Sequence, residues 1–188
     1  MKTLAIIGSA RPNGHSRSML DFLIKELDGE IEIIDAYKTP IKPCIDCRYC
    51  WEKRGCSIKD DMQEIYKKAD EADNIILASP MYFHSVPGPM KILIDRLQVY
   101  WAGHLRNDMP EGFVKKGAIL MVGGAPAFEN QFLAGEIVMK GVLGDLSADC
   151  VGIVTFSNSD KDNPIDSDEI KSSINEITRI LNLKGKAI

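Results

Sequence analysis

The sequence has no excess of positive charge. Its 23 Lys and Arg stand against 27 Asp and Glu, a formal net charge of −4. A field of that sign does not attract a phosphate backbone, and no nucleic-acid partner is expected. Nor is there a long hydrophobic run. The longest, Gly117 to Phe128, is interrupted by Gly123, Gly124 and Pro126 and falls short of the roughly 20 apolar residues that span a bilayer. The opening Leu4-Ala5-Ile6-Ile7 is too short for the apolar region of a secretion signal, so a cytoplasmic protein without membrane contact is expected. Repeats and low-complexity tracts are missing as well. So is the spread of paired cysteines that staples a small secreted domain, because four of the five cysteines crowd between residues 44 and 56.

What remains is a chain of 188 residues, 45% hydrophobic and 27% charged, the balance of a globular protein with the length of one domain. Residues 1–188 are expected to form that single domain, with a cysteine-rich loop at 42–59. Short apolar runs predict strands at 4–7, 31–34, 74–78, 118–122 and 150–155. Helical spacing falls between them, with Met19, Leu20, Leu23 and Leu27 on one face, then Met62, Ile65, Tyr66 and Ala69, then Met90, Leu93, Ile94 and Leu97. Asp60 with Gln63, and Asp166 with Glu169, read as capping boxes, the second opening a final helix through Ile170, Ile174, Ile177 and Leu181. Residues 98–116 show no clean period, and a connection of that length is expected to be functional or a partner surface. Cys150, within the fifth strand, is expected in the core. Continuous apolar strands alternating with helices make an α/β fold, a doubly wound five-stranded parallel sheet. The flavodoxin-like order 2-1-3-4-5 fits, with its ligand at the carboxyl ends of the strands.

Three loops leave those ends. The first, residues 8–16, joins a strand to a helix N-terminus, where free N–H groups and the dipole favour an anion. It has neither G-x-G-x-x-G nor a Walker A spacing, and His15 stands where the Walker lysine would be. A monophosphate is the better match, held by the Ser9 and Ser16 hydroxyls and the Arg11 fork. The alternative is that Ser16 caps the helix and Arg11 is merely solvated. The second loop, residues 79–89, sets three prolines and Gly88 around Tyr82 and Phe83, a stiff frame suited to a flat heteroaromatic ligand. Alternatively Met81 and Phe83 are ordinary core and His84 a surface residue. The third loop is residues 123–128.

Gly8-Ser9-x-Arg11, Ser79-Pro80-Met81-Tyr82-Phe83 and Lys91-Ile92-Leu93-Ile94-Asp95-Arg96 together resemble the NADPH-dependent FMN reductase family of flavodoxin-like proteins, over most of the chain. The resemblance implies FMN, its phosphate at Ser9, Arg11, Asn13 and Ser16. It implies an isoalloxazine ring held by Pro80, Met81, Tyr82, Phe83 and His84 with Gly123 and Gly124. The family's usual Gly-Asn-Thr is Gly14-His15-Ser16 here.

Cys44-x-x-Cys47-x-x-Cys50, followed by Cys56, brings four thiols within reach of one 4Fe-4S cubane, whereas a structural zinc site usually separates two C-x-x-C pairs by a dozen residues or more. Reactive or disulfide-forming thiols are the next reading and zinc the last. The spacing resembles the compact motif of iron-sulfur flavoproteins, a branch of the same family. Around it Lys42, Arg48, Lys53, Arg54 and Lys59 outnumber Asp46 and Glu52, a basic stretch in an acidic chain that suits an acidic electron donor, the alternative being a solvated loop whose lysines keep it soluble. The expected protein is a flavin-dependent oxidoreductase that passes electrons from a ferredoxin-like donor through the cluster to FMN and on to a small-molecule acceptor. No side chain is required as a general base, and a homo-oligomer is expected. Two alternatives stand beside it: an NAD(P)H-dependent FMN or quinone reductase without a cluster, and a non-catalytic FMN electron carrier or thiol redox sensor.

Overall fold

The computed structural model describes residues 1–109 and 114–183. Five strands, β1 (Lys2–Ile7), β2 (Glu30–Asp35), β3 (Asn74–Pro80), β4 (Lys115–Val122) and β5 (Ala148–Phe156), form one sheet in the order β2-β1-β3-β4-β5. Every pairing is parallel. The helices are α1 (His15–Lys25), α2 (Tyr49–Glu52), α3 (Met62–Glu71), α4 (Gly88–Arg96), α5 (Gln98–Arg106), α6 (Leu133–Asp145) and α7 (Asp168–Leu181).

Alternation along the central strands explains the layers. Leu4, Ile6, Ile75, Leu77, Ile119 and Met121 point to one face and pack under Met62 and Ile65 of α3, Met90 and Leu93 of α4, and Met139 and Leu143 of α6. Their neighbours Ala5, Ile7, Ile76, Ala78, Ala118 and Leu120 point to the other face, against Met19, Leu20 and Leu23 of α1 and Ile174, Ile177 and Leu181 of α7. Both faces are covered, and this is why these strands read as unbroken apolar runs. Each fully buried aliphatic side chain contributes about 1.5–3 kcal/mol. The winding direction changes between β1 and β3, so the loops after β1, β3, β4 and β5 gather along one edge of the sheet. Among the described residues no helix is long and apolar enough to cross a membrane.

Four local expectations change. The N-cap of α3 is Asp61, although Asp60 still accepts the Met62 N–H at 3.2 Å, and the Gln63 amide donates to the Ile58 carbonyl instead of closing a box. The cap of α7 is Ser167, whose hydroxyl accepts from the Ile170 N–H at 3.3 Å. Asp166 is taken up by the preceding 3₁₀ turn, Pro164–Asp166. Cys150 is exposed, not core, at the start of the edge strand β5. Much of the unassigned stretch 98–116 is α5 and the start of β4, and 110–113 lie outside the described residues. Helix α5 packs against α2 of the cysteine loop.

Candidate flavin and iron-sulfur site

The first loop is folded by its own polar groups. The Ser9 hydroxyl accepts from the Arg11 N–H at 3.3 Å and approaches the Arg11 carbonyl at 3.2 Å, and the Gly14 N–H donates to that same carbonyl at 3.2 Å. Gly14 is the N-cap of α1 and no side chain caps the helix. Ser16 therefore does not cap it; the Arg17 N–H already donates to the Gly14 carbonyl at 2.9 Å, and the His15 and Ser16 N–H groups and the dipole end stay available to an anion. Ser16 is 2% exposed, His15 half-buried, and Arg11 and Asn13 are exposed on the loop beside them.

The second loop is strained. The Met81 N–H bonds to the Val122 carbonyl at 2.8 Å, tying the loop's start to β4. Tyr82 and Ser85 then exchange backbone hydrogen bonds around Phe83 and His84, whose φ angles are 48° and 66°. Two-residue turns with both φ positive normally take Asn-Gly, and a side chain larger than glycine costs about 1–2 kcal/mol at each corner. What the strain achieves is display. Phe83 is 100% exposed and Tyr82 exposed, so the alternative in which Phe83 belongs to the core does not hold. The His84 ring lies edge-on to Phe83 and to Phe128, each 6.0 Å away, joining this loop to the one after β4.

In the third loop the Gly123 N–H bonds to the Phe156 carbonyl at 2.8 Å. A Cβ on Gly123 would stand 2.5 Å from Nε2 of Gln131, so any larger residue would push that amide from its place. Gln131 is buried; its amide nitrogen donates to the Ala125 carbonyl at 3.3 Å and its oxygen accepts from the Ser157 hydroxyl at 2.7 Å. The loop after β5 adds Ser159 N–H to Gly123 and Asp160 N–H to Gly124. Sequence reasoning missed Gln131 and residues 157–160, since a glutamine between an aromatic pair and a Ser-Asn-Ser-Asp run carry no motif.

The cysteine loop curls through three left-handed residues, Asp46 (φ 49°), Arg48 (φ 60°) and Gly55 (φ 89°). Cys44, Cys47, Cys50 and Cys56 line one cavity together with Trp51, Ile58, Arg96 and Val99. The loop is stacked on α5. Trp51 meets Trp101 edge-on at 5.1 Å, Arg48 lies 4.7 Å over the Trp51 ring, and the Arg106 guanidinium donates to the Cys50 carbonyl. The Ser57 hydroxyl, 3.2 Å from Cys47 Sγ, pulls that thiol below its usual range. Burial pushes the Cys50 thiol up, and the neighbouring Cys44, Cys56 and Cys47 add to it. Four cysteine thiols are the donor set that an iron-sulfur cluster takes, and all four line this cavity. Among the described residues, however, no three His, Cys, Asp or Glu side chains are drawn to metal-binding separation.

Asp60 also does more than its sequence position suggested. Its carboxylate is held bidentate by Arg96, at 2.8 and 3.0 Å, and accepts the Lys42 N–H at 3.0 Å. Burial raises its pKa, but these hydrogen bonds outweigh burial and hold the carboxyl below the usual range.

Residues 1–131 match the NADPH-dependent FMN reductase family, and the chain belongs to it. Within it, the chain is 40% identical over 131 residues to an iron-sulfur flavoprotein of Archaeoglobus fulgidus, covering 66% of this chain and 63% of that protein. It is 39% identical over 122 residues to an iron-sulfur flavoprotein of Methanocaldococcus jannaschii, covering 63% of each. The match thus spans less than two thirds of these relatives' own lengths. The crystal structure of an azoreductase from Bacillus anthracis superposes with a TM-score of 0.67 at 15% identity, over 97% of this chain and 99% of that one; at that identity the likeness bears on the fold, which is flavodoxin-like.

Proposed function

We propose that this chain is a flavin-dependent oxidoreductase that binds FMN along the carboxyl edge of its sheet and a 4Fe-4S cluster at Cys44, Cys47, Cys50 and Cys56. The observation that carries the cluster is the convergence of the four thiols on one cavity with a buried arginine. When bound, the cluster exchanges single electrons and FMN stores a pair for delivery to a small-molecule acceptor. The chain's own residues bind and orient. Arg11, Asn13, Ser9, Ser16 and the uncapped start of α1 hold a phosphate. Pro80, Met81, Tyr82, Phe83 and His84, with Gly123 and Gly124, hold a flat ring. The exposed Lys42, Arg48, Lys53, Arg54 and Lys59 offer a docking face to an acidic, ferredoxin-like donor.

Protein purified without oxygen is expected to show flavin and broad iron-sulfur absorption, with about four irons and four labile sulfides per chain. Cys47→Ser is expected to lose iron and keep FMN. Full iron in that variant, or zinc in the native protein, overturns the assignment. The thiols' lack of metal-binding separation favours a second reading, an NAD(P)H-dependent reductase of the same family without a cluster, which flavin bands without iron and turnover with NAD(P)H would identify.

A further inference from the structure

Arg96 ends α4 and is 1% exposed, the largest of the fully buried side chains. A guanidinium withdrawn from water persists only where its charge and its donors are met. Along one edge they are. Nη1 donates to Asp60 at 2.8 Å and to the Lys42 carbonyl at 2.7 Å, and Nη2 to Asp60 at 3.0 Å and to the Ile58 carbonyl at 3.4 Å. Lys42 precedes the first cysteine of the cavity and Ile58 follows the last, so one planar fork closes both ends of the cysteine loop. The remaining donor, Nε, is buried and has no hydrogen-bond partner. Native interiors seldom leave a charged donor idle. Arg96 lines the same cavity as the four thiols, and the acceptor that this cavity would supply on loading is anionic sulfur.

We propose that Arg96 is a positioning residue for the cluster: its Nη edge clamps the two ends of the cysteine loop, and its Nε edge gives the bound group's sulfur a hydrogen-bond donor. The inference rests on the cluster reading above. A hydrogen-bond donor beside the sulfurs favours the more negative, reduced form, so Arg96 raises the cluster's reduction potential. A lysine cannot do both jobs, because it has no planar fork to share between Asp60, two carbonyls and a sulfur.

The test compares wild type, Arg96→Lys, and Arg96→Gln combined with Asp60→Asn, which removes both charges so that neither is left alone in the interior. Each is purified without oxygen and assayed for iron, labile sulfide and FMN per chain. The cluster midpoint is then read by electron paramagnetic resonance during reductive titration with dithionite. The double variant is expected to keep its FMN and circular dichroism and to hold less iron. In the molecules still loaded, the reduction equilibrium should shift about tenfold toward the oxidised form, about 59 mV for a one-electron couple. Arg96→Lys should shift it the same way by less, and it carries the test if the double variant does not fold. A purely structural clamp would change iron content and leave the midpoint of the loaded fraction unmoved, so an unmoved midpoint overturns the proposal. Wild-type protein without iron overturns the cluster reading, and this inference with it.

Discussion

At the scale of single residues, charge decides most outcomes. Arg11 is exposed beside an uncapped helix start, so Arg11→Ala is expected to weaken FMN by about 1.5–3 kcal/mol, the worth of a charge-assisted hydrogen bond. Riboflavin, which has no phosphate, should be nearly unaffected; parallel titrations of the two flavins check it, and equal losses would point to folding instead. Asp60 is the buried counterpart. Asp60→Asn leaves Arg96 without its anion and should cost about 3–5 kcal/mol in denaturant unfolding. Because the folded carboxyl is held below its usual value, its stabilisation is fully present above the ordinary Asp range near pH 4 and is lost as pH falls through the lower folded value. The stability difference between wild type and variant, read from denaturant unfolding across pH, should therefore be full at pH 7 and narrow as pH falls below about 4. Neither role of Asp60 was equally legible. Its contact with Met62 is local and shows in the sequence, whereas its pairing with Arg96 crosses 36 residues and follows only from the fold.

At the scale of elements, legibility tracked how far an element's partners impose a period on it. The five strands and helices α1, α3 and α7 each present one or two uniform faces, and their residues were readable to within a few positions. Helix α5 was not, because it is wedged between the main core, through Tyr100, and the cysteine loop, through Trp101, with Ala102 and Gly103 also buried. Burial on several sides erases the stripe. Helix α2 has four residues, too few to show any period. The aromatics of the Tyr82–Ser85 turn mark it in the sequence as a candidate ring-holding loop, but its left-handed corners are not legible there, since Phe and His are residues such a turn avoids. Replacing Phe83-His84 by Asn-Gly should relieve that strain and stabilise the protein by about 1–2 kcal/mol. FMN affinity should fall because the displayed ring is gone. Thermal melting and flavin titration on the same variant check both halves, and a variant that gains neither stability nor flavin weakness would mean the turn is not held for display.

At the scale of the whole molecule, the acidic chain carries a run of exposed basic residues on the cysteine loop. If an acidic electron carrier docks there, reduction should slow as salt rises, because exposed charges are screened beyond about 10 Å at 0.1 M. Lys53→Glu with Arg54→Glu should lower that rate and flatten its salt dependence, while reduction by dithionite stays as it was. Anaerobic stopped-flow with a ferredoxin measures both, and an unchanged rate and salt slope would move the donor elsewhere. The two candidate cofactor regions also share one element. Helix α4 follows the candidate flat-ring loop at Tyr82–Ser85 and ends at the arginine that bonds the start of the cysteine loop. Nine helical residues rise about 13 Å, and each added residue turns the far end by about 100°. Helix α4 is thus a ruler with a fixed phase: the span between the flat-ring loop and the thiols is cut to a whole number of residues. Evolution can retune either end by substitution, but it cannot lengthen the gap between them by one residue without swinging the arginine out of the pocket it serves.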